Sequence, residues 1–206
     1  MKQIIILNGP PRCGKDTLAK YLCKKYPFFY HYKFANELKV IAHRLYNTPE
    51  QAPDAYEKFK DRPMTEFLNL TPRQAYINLS EDYIKKHHGK EFFGLQLIAS
   101  IKKVPDNNEN VFVISDGGFA EELLPLVENF KPQMLTILHI HRQGCNFDND
   151  SRHYISEDRF GKFGIKFLSV DNNGTEEEFL TTCEEKLGKT IPRLYDELAV
   201  LSALLC

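Results

Sequence analysis

Residues 9 to 17 read GPPRCGKDT, and they stand between two segments of opposite period. Before them, Gln3 to Asn8 (QIIILN) is an almost unbroken apolar run, the pattern of a strand buried on both faces. After them, DTLAKYLCKKY sets Leu18, Ala19, Leu22 and Cys23 on one helical stripe. The chain must therefore pass from a buried strand into a helix through a short glycine-bearing turn. Gly9, Gly14 and Lys15 hold the GxxxxGK spacing, in which backbone amides and a helix start wrap a phosphate. A chance glycine turn before a lysine is the competing reading, and strand, spacing, lysine and helix together speak against it.

The position after the lysine departs from the pattern. It is Asp16, and the hydroxyl residue arrives one step later as Thr17. ATPases and GTPases with this loop bind magnesium through the missing hydroxyl. The departure therefore argues against a motor or switch, and GKDT resembles the GKGT of adenylate-kinase-like enzymes, a resemblance that implies a small-molecule kinase. A carboxylate at this place can approach magnesium through a water, or it can simply favour the helix N-terminus.

The length of 206 residues suits one domain with an insertion, and 42% hydrophobic residues are enough for a sizeable core. A net charge of -1 supplies no basic field for non-specific nucleic-acid binding. No apolar run approaches the length of a bilayer span, and the N-terminal run is too short for a secretory leader. These features lead us to expect a cytoplasmic protein (host cytoplasm if the chain is viral). Its partner would be a small molecule, with neither nucleic acid nor membrane, and it would be a monomer or homodimer. The five cysteines are scattered and unpaired in spacing, which indicates neither a disulfide framework nor a zinc site. Cys13 reads as a small loop filler, with oxidation sensitivity the lesser reading.

Further strands are expected at 28–34, 111–115, 134–141 and 165–170. Helices are expected at 35–46, from Pro72 to about 88, and at about 91–103, 120–130, 176–187 and 192–205. Residues 47–72, with four prolines, read as an irregular or mobile insert, and 142–160 shows no clear period. Strands alternating with helices imply an α/β fold, a central parallel sheet of about five strands with helices on both faces. Ligands of such sheets bind at the carboxyl ends of the strands. The 9–17 loop, Asp116, Arg142 and the turn DNNGT all fall there.

Asp116 ends an apolar strand, where a carboxylate can hold magnesium directly or through water; capping the next helix is the alternative. Asn172, Asn173, Gly174 and Thr175 fit either a nucleotide-lining loop or a plain asparagine-glycine turn with a helix cap. Asp148 and Asp150 do not continue into a calcium loop, because His153 and Arg159 stand at its sixth and twelfth positions. His139 and His141 lack a third ligand and read as packing or surface.

Taken in order, GPPRCGKDT, FANELKVIAHRLY, TPRQAYINLSEDYI, VFVISDGGFAEE, HIHRQGCNFDNDSRHYI and VDNNGTEEEF resemble the deoxynucleoside monophosphate kinases of tailed bacteriophages, over about residues 3–187. That family shows GKDT, FA-x-x-LK, a TPR-like helix start and an NDGT-like turn. Where its helix usually carries a glycine-threonine pair, this chain has Leu79-Ser80-Glu81. The resemblance implies a three-layer P-loop kinase fold over 1–206. An acceptor-binding insert, helical and irregular, would occupy about 45–103, and a lid-like segment about 142–160.

It also implies ATP-dependent phosphorylation of a (deoxy)nucleoside monophosphate, with ATP and Mg2+. Lys15 and the amides from Arg12 to Thr17 (Arg12, Cys13, Gly14, Lys15, Asp16, Thr17), with Gly9, would hold the donor phosphates. Asn172, Asn173 and Gly174 would line its adenine. Lys39, Arg73 and Asp116 would face the acceptor, and Arg142 and Arg152 would close over the transferring group. Asp16, Thr17 and Asp116 would serve the metal. The alternatives are a kinase for another acceptor, of dephospho-coenzyme A or phosphomevalonate type, and a non-catalytic nucleotide-binding protein.

Overall fold

Ile4, Ile5, Ile6 and Leu7 are wholly buried, and β1 (Gln3–Asn8) is the middle strand of a five-stranded sheet. The computed structural model describes residues 2–105, 110–148, 150–191 and 194. The sheet order is β2-β3-β1-β4-β5, with β2 (Phe29–Tyr32), β3 (Val111–Gly117), β4 (Leu135–His141) and β5 (Lys166–Asp171). Every neighbouring pair is parallel. The expected α/β class with its five-stranded parallel sheet is therefore what the chain adopts. The connection from β1 leaves toward β2, and the one from β4 leaves the other way toward β5. Their carboxyl ends thus flank a switch point, where a crevice for ligand opens in sheets of this kind.

The chain divides into two units, Met1–Tyr32 with Pro105–Phe119 and Phe130–Cys206, and Lys33–Val104 with Ala120–Asn129. The first holds the sheet. Its core joins Ile5, Leu7 and Ile140 to Leu18 and Leu22 of α1 (Lys15–Lys25) and to Phe179 and Cys183 of a C-terminal helix, Glu176–Gly188. That helix begins where Thr175 and Glu178 form a reciprocal capping box, which satisfies two orphan amides at its start. Of the predicted helix 192–205, only Leu194 lies among the described residues, and it is buried in this core.

The second unit contains α2 (Ala35–Leu45), α3 (Pro72–Asn78), α4 (Lys85–His88), α5 (Phe92–Lys103) and α6 (Ala120–Asn129). Among the described residues the first unit also holds α7 (Glu157–Phe160) and the helix Glu176–Gly188, α8. Pro72 stands at the first position of α3, where the sequence places a helix start, and Thr71 and Gln74 close that start as a capping box. A π-helical turn, Leu79–Ile84, stands between α3 and α4 inside the predicted single helix. The proline-rich stretch before α3 has two short 3-10 turns, Glu57–Phe59 and Thr65–Phe67. It packs around Tyr56, Phe67 and Ala75, with Tyr46 and Tyr76 at the margin. Buried His43 meets Tyr56 and Phe67 edge-on and shares a 2.7 Å hydrogen bond with the Tyr76 hydroxyl.

Candidate phosphate-binding site

The turn after β1 is shaped by backbone crowding. A Cβ on Gly9 would lie 2.4 Å from the Ile140 carbonyl oxygen, so only glycine lets the loop lie this close to β4. Gly14 caps α1 with φ at 112°, a left-handed conformation that glycine adopts at little cost. Beside it, the Asn172 side chain donates to the Cys13 carbonyl at 2.9 Å. The turn after β5 thereby fastens the loop after β1.

Lys15 is only 7% exposed, and its ammonium donates to the carbonyls of Gly9 and Pro10, each at 2.6 Å. Burial pulls its pKa below the ordinary lysine value, and the Arg152 charge pushes the same way. The Cys13 thiol, 3.6 Å from the ammonium, is pushed up by burial despite that neighbour, so it is a packed thiol and a poor nucleophile. Arg142, exposed just beyond β4, donates to the Arg12 carbonyl at 3.2 Å. Two cations, Lys15 and Arg142, thus donate to carbonyls of one strand-to-helix turn, and the Arg152 charge acts on Lys15 from nearby.

Arg152 is held by Asp150. Two guanidinium nitrogens donate to the carboxylate at 2.9 and 2.6 Å, and the Arg152 amide adds a third bond at 2.9 Å. Burial alone would raise the Asp150 carboxyl, but these bonds and the Arg152 charge bring it below its ordinary value. The next residue, His153, donates its amide to the Gly118 carbonyl at 3.2 Å. Asn8 secures the same stretch. Its wholly buried amide donates to Gly117 at 3.1 Å and His153 at 3.0 Å, and accepts from the Ile155 amide at 2.7 Å. Asn8 has no role in the sequence reading, and Asp150 enters it only as a rejected calcium ligand, yet both hold the stretch that carries Arg152. The signal for Asn8 was a lone amide closing an otherwise apolar strand.

The remaining predicted residues fall as follows. Asp16 and Thr17 are exposed in the first turn of α1, and Asp16 accepts from Ser115 at 2.7 Å. Asp116 is half-buried near the end of β3. Asn173 accepts from the Gln143 amide at 2.7 Å, tying the turn after β5 to the one after β4, while Gly174 is exposed. The loop, Asp116, Arg142, Arg152 and Asn172–Gly174 therefore lie in the unit that holds the sheet. Lys39 and Arg73 lie in the helical unit, where Lys39 donates to Glu57 at 2.9 Å and Arg73 to Asp61 at 2.6 Å.

A GxxxxGK turn thus closes the central strand of a parallel sheet ordered β2-β3-β1-β4-β5, a loop of the phosphate-binding kind at the carboxyl edge of an α/β sheet. No family model and no curated protein matches the chain. Among solved structures it is similar to thymidylate kinase from Candida albicans, with a TM-score of 0.47 and 16% sequence identity, covering 94% of this chain and 93% of that one. Among the described residues no helix is long and apolar enough to cross a membrane.

Proposed function

We propose that the protein transfers a phosphoryl group from ATP to a nucleoside monophosphate, a deoxy form being the acceptor class to which the sequence resemblance points. The observation that carries this reading is the turn after β1, which buries Lys15, accepts a hydrogen bond from Arg142 and lies within the field of Arg152. A polyanion is the ligand that offsets such a gathering of positive charge. Phosphoryl transfer asks for positioning and charge neutralisation more than for covalent chemistry. Lys15 and the amides from Arg12 to Thr17 would grip the donor phosphates. Arg142 and Arg152 would neutralise the charge on the transferring group, the Arg152 fork being pre-set by Asp150. Asn172, Asn173 and Gly174 would border the adenine. Lys39 and Arg73 would take the acceptor phosphate.

Magnesium favours hard oxygen ligands and keeps several waters alongside substrate phosphates. The carboxylates of Asp16 and Asp116 and the Thr17 hydroxyl are of that kind, and the Asp16 side chain is 56% exposed. When bound, the metal would neutralise phosphate charge. Among the described residues no three His, Cys, Asp or Glu side chains gather as a metal cage, and a magnesium held mainly by nucleotide needs none.

A coupled assay for ADP formation over a panel of acceptors tests the proposal. Turnover is expected with deoxynucleoside monophosphates. Turnover with dephospho-coenzyme A or phosphomevalonate alone would replace the acceptor class. ATP binding without turnover on any acceptor would leave a non-catalytic nucleotide-binding protein.

A further inference from the structure

Asp16 does not stand alone at the start of α1. The Ser115 hydroxyl donates to its Oδ1 at 2.7 Å, and His31 Nε2 lies 2.7 Å from the Ser115 oxygen and 4.0 Å from Asp16 Oδ1. A serine hydroxyl has one proton. Here that proton points at Asp16, so the Ser115 oxygen accepts, and His31 must carry hydrogen on Nε2. The three side chains form a directed line, from imidazole to hydroxyl to carboxylate. Ser115 is 2% exposed, and a buried hydroxyl is costly unless its bonds are made. Both are made within this line.

The backbone is built to suit it. From Ile6↔Ile114 to Asn8↔Gly117, one residue of β1 faces two of β3, Ser115 and Asp116. Such a bulge is rare in parallel pairs, and bulges re-aim side chains beside functional sites. On the other edge of β3, β2 runs in regular register and sets His31 opposite Val113.

We propose that His31 and Ser115 are positioning residues for Asp16, holding its carboxylate in one orientation toward the hydrated magnesium of the donor nucleotide. The proposal rests on the phosphoryl-transfer reading above. A mere helix-start charge needs no oriented carboxylate and no buried serine behind it, since the dipole acts on charge and not on direction.

The test is equilibrium binding of a fluorescent ATP analogue, with magnesium and with EDTA, to wild type, Ser115→Ala, His31→Phe and His31→Gln. Magnesium is expected to tighten binding to the wild type. Ser115→Ala and His31→Phe should weaken the magnesium-dependent affinity by about tenfold, the scale of one hydrogen bond to a charged acceptor, and move the EDTA affinity by less than about twofold. His31→Gln, whose amide can still donate to Ser115, should keep the wild-type tightening. Equal losses in magnesium and EDTA would reduce the line to packing and overturn the proposal. Wild-type tightening in all three variants would overturn it while leaving the phosphoryl-transfer reading in place. A wild type whose ATP affinity ignores magnesium would remove that reading and the positioning role with it.

Discussion

Asn8 sits at the last position of a strand otherwise made of isoleucine and leucine, and no apolar residue could replace its three bonds. They close the ends of β1 and β3 and pin the residues that follow Arg152. The partners are 109, 145 and 147 positions away in the chain, so nothing near Asn8 in sequence announces them. Asn8→Leu keeps the volume but leaves buried backbone groups unpaired, at a cost of about 1–3 kcal/mol. Urea unfolding should show that loss, and limited proteolysis should show faster cleavage within 142–160. An unchanged unfolding midpoint would mean that these bonds contribute nothing net. Lys15 is the opposite case. The role proposed for it can be read from sequence because the loop is contiguous, and its burial and carbonyl bonds add detail.

At the scale of elements, the legible parts were those with a local period or a local cap. β1, α1, the capped starts of α3 and α8, and the strand ending near Asp116 all carry their signal within a few residues. The bulge in β3 does not, because it arises from pairing with β1 and has no mark in VFVISDG itself. The insert before α3 was also opaque. Its core residues Tyr56 and Phe67 are spaced without period, and they meet Ala75 of α3 only because two short turns fold them onto that helix.

This insert has a measurable electrostatic feature. Burial alone would raise the Glu57 carboxyl, but hydrogen bonds from Lys60 and Lys39 bring it from an ordinary 4.5 down to about 2. A carboxyl depressed in the folded state adds stability above its unfolded value, and the gain is lost as pH falls to the folded value. The contribution should therefore be whole at neutral pH and drain away between pH 4.5 and about 2. Glu57 is 42% exposed, and solvent screening limits the gain to about 0.5–1 kcal/mol. Glu57→Gln should lower stability by that amount at neutral pH and by nothing at the acid end of the window. Urea midpoints at the two ends check this, and an equal deficit at both would contradict it.

For the whole molecule, alternating strand and helix signals were enough for a parallel α/β sheet, and the strand order then places the turns after β1, β4 and β5 around one switch point. Composition could not have shown that Arg142 and Arg152 join Lys15, because arginines outside a motif look alike until the chain is folded. The function proposed for these cations is phosphoryl transfer between nucleotides. The most direct measurement follows the γ-phosphate of labelled ATP, with magnesium and a deoxynucleoside monophosphate, in wild type and in Lys15→Ala. The label should appear in the deoxynucleoside diphosphate with wild type. Lys15→Ala should fold normally and transfer about a hundred- to a thousandfold more slowly, as when one preorganised transition-state donor is removed. Label found only in inorganic phosphate, or an equal rate of transfer by a folded Lys15→Ala protein, would contradict the claim.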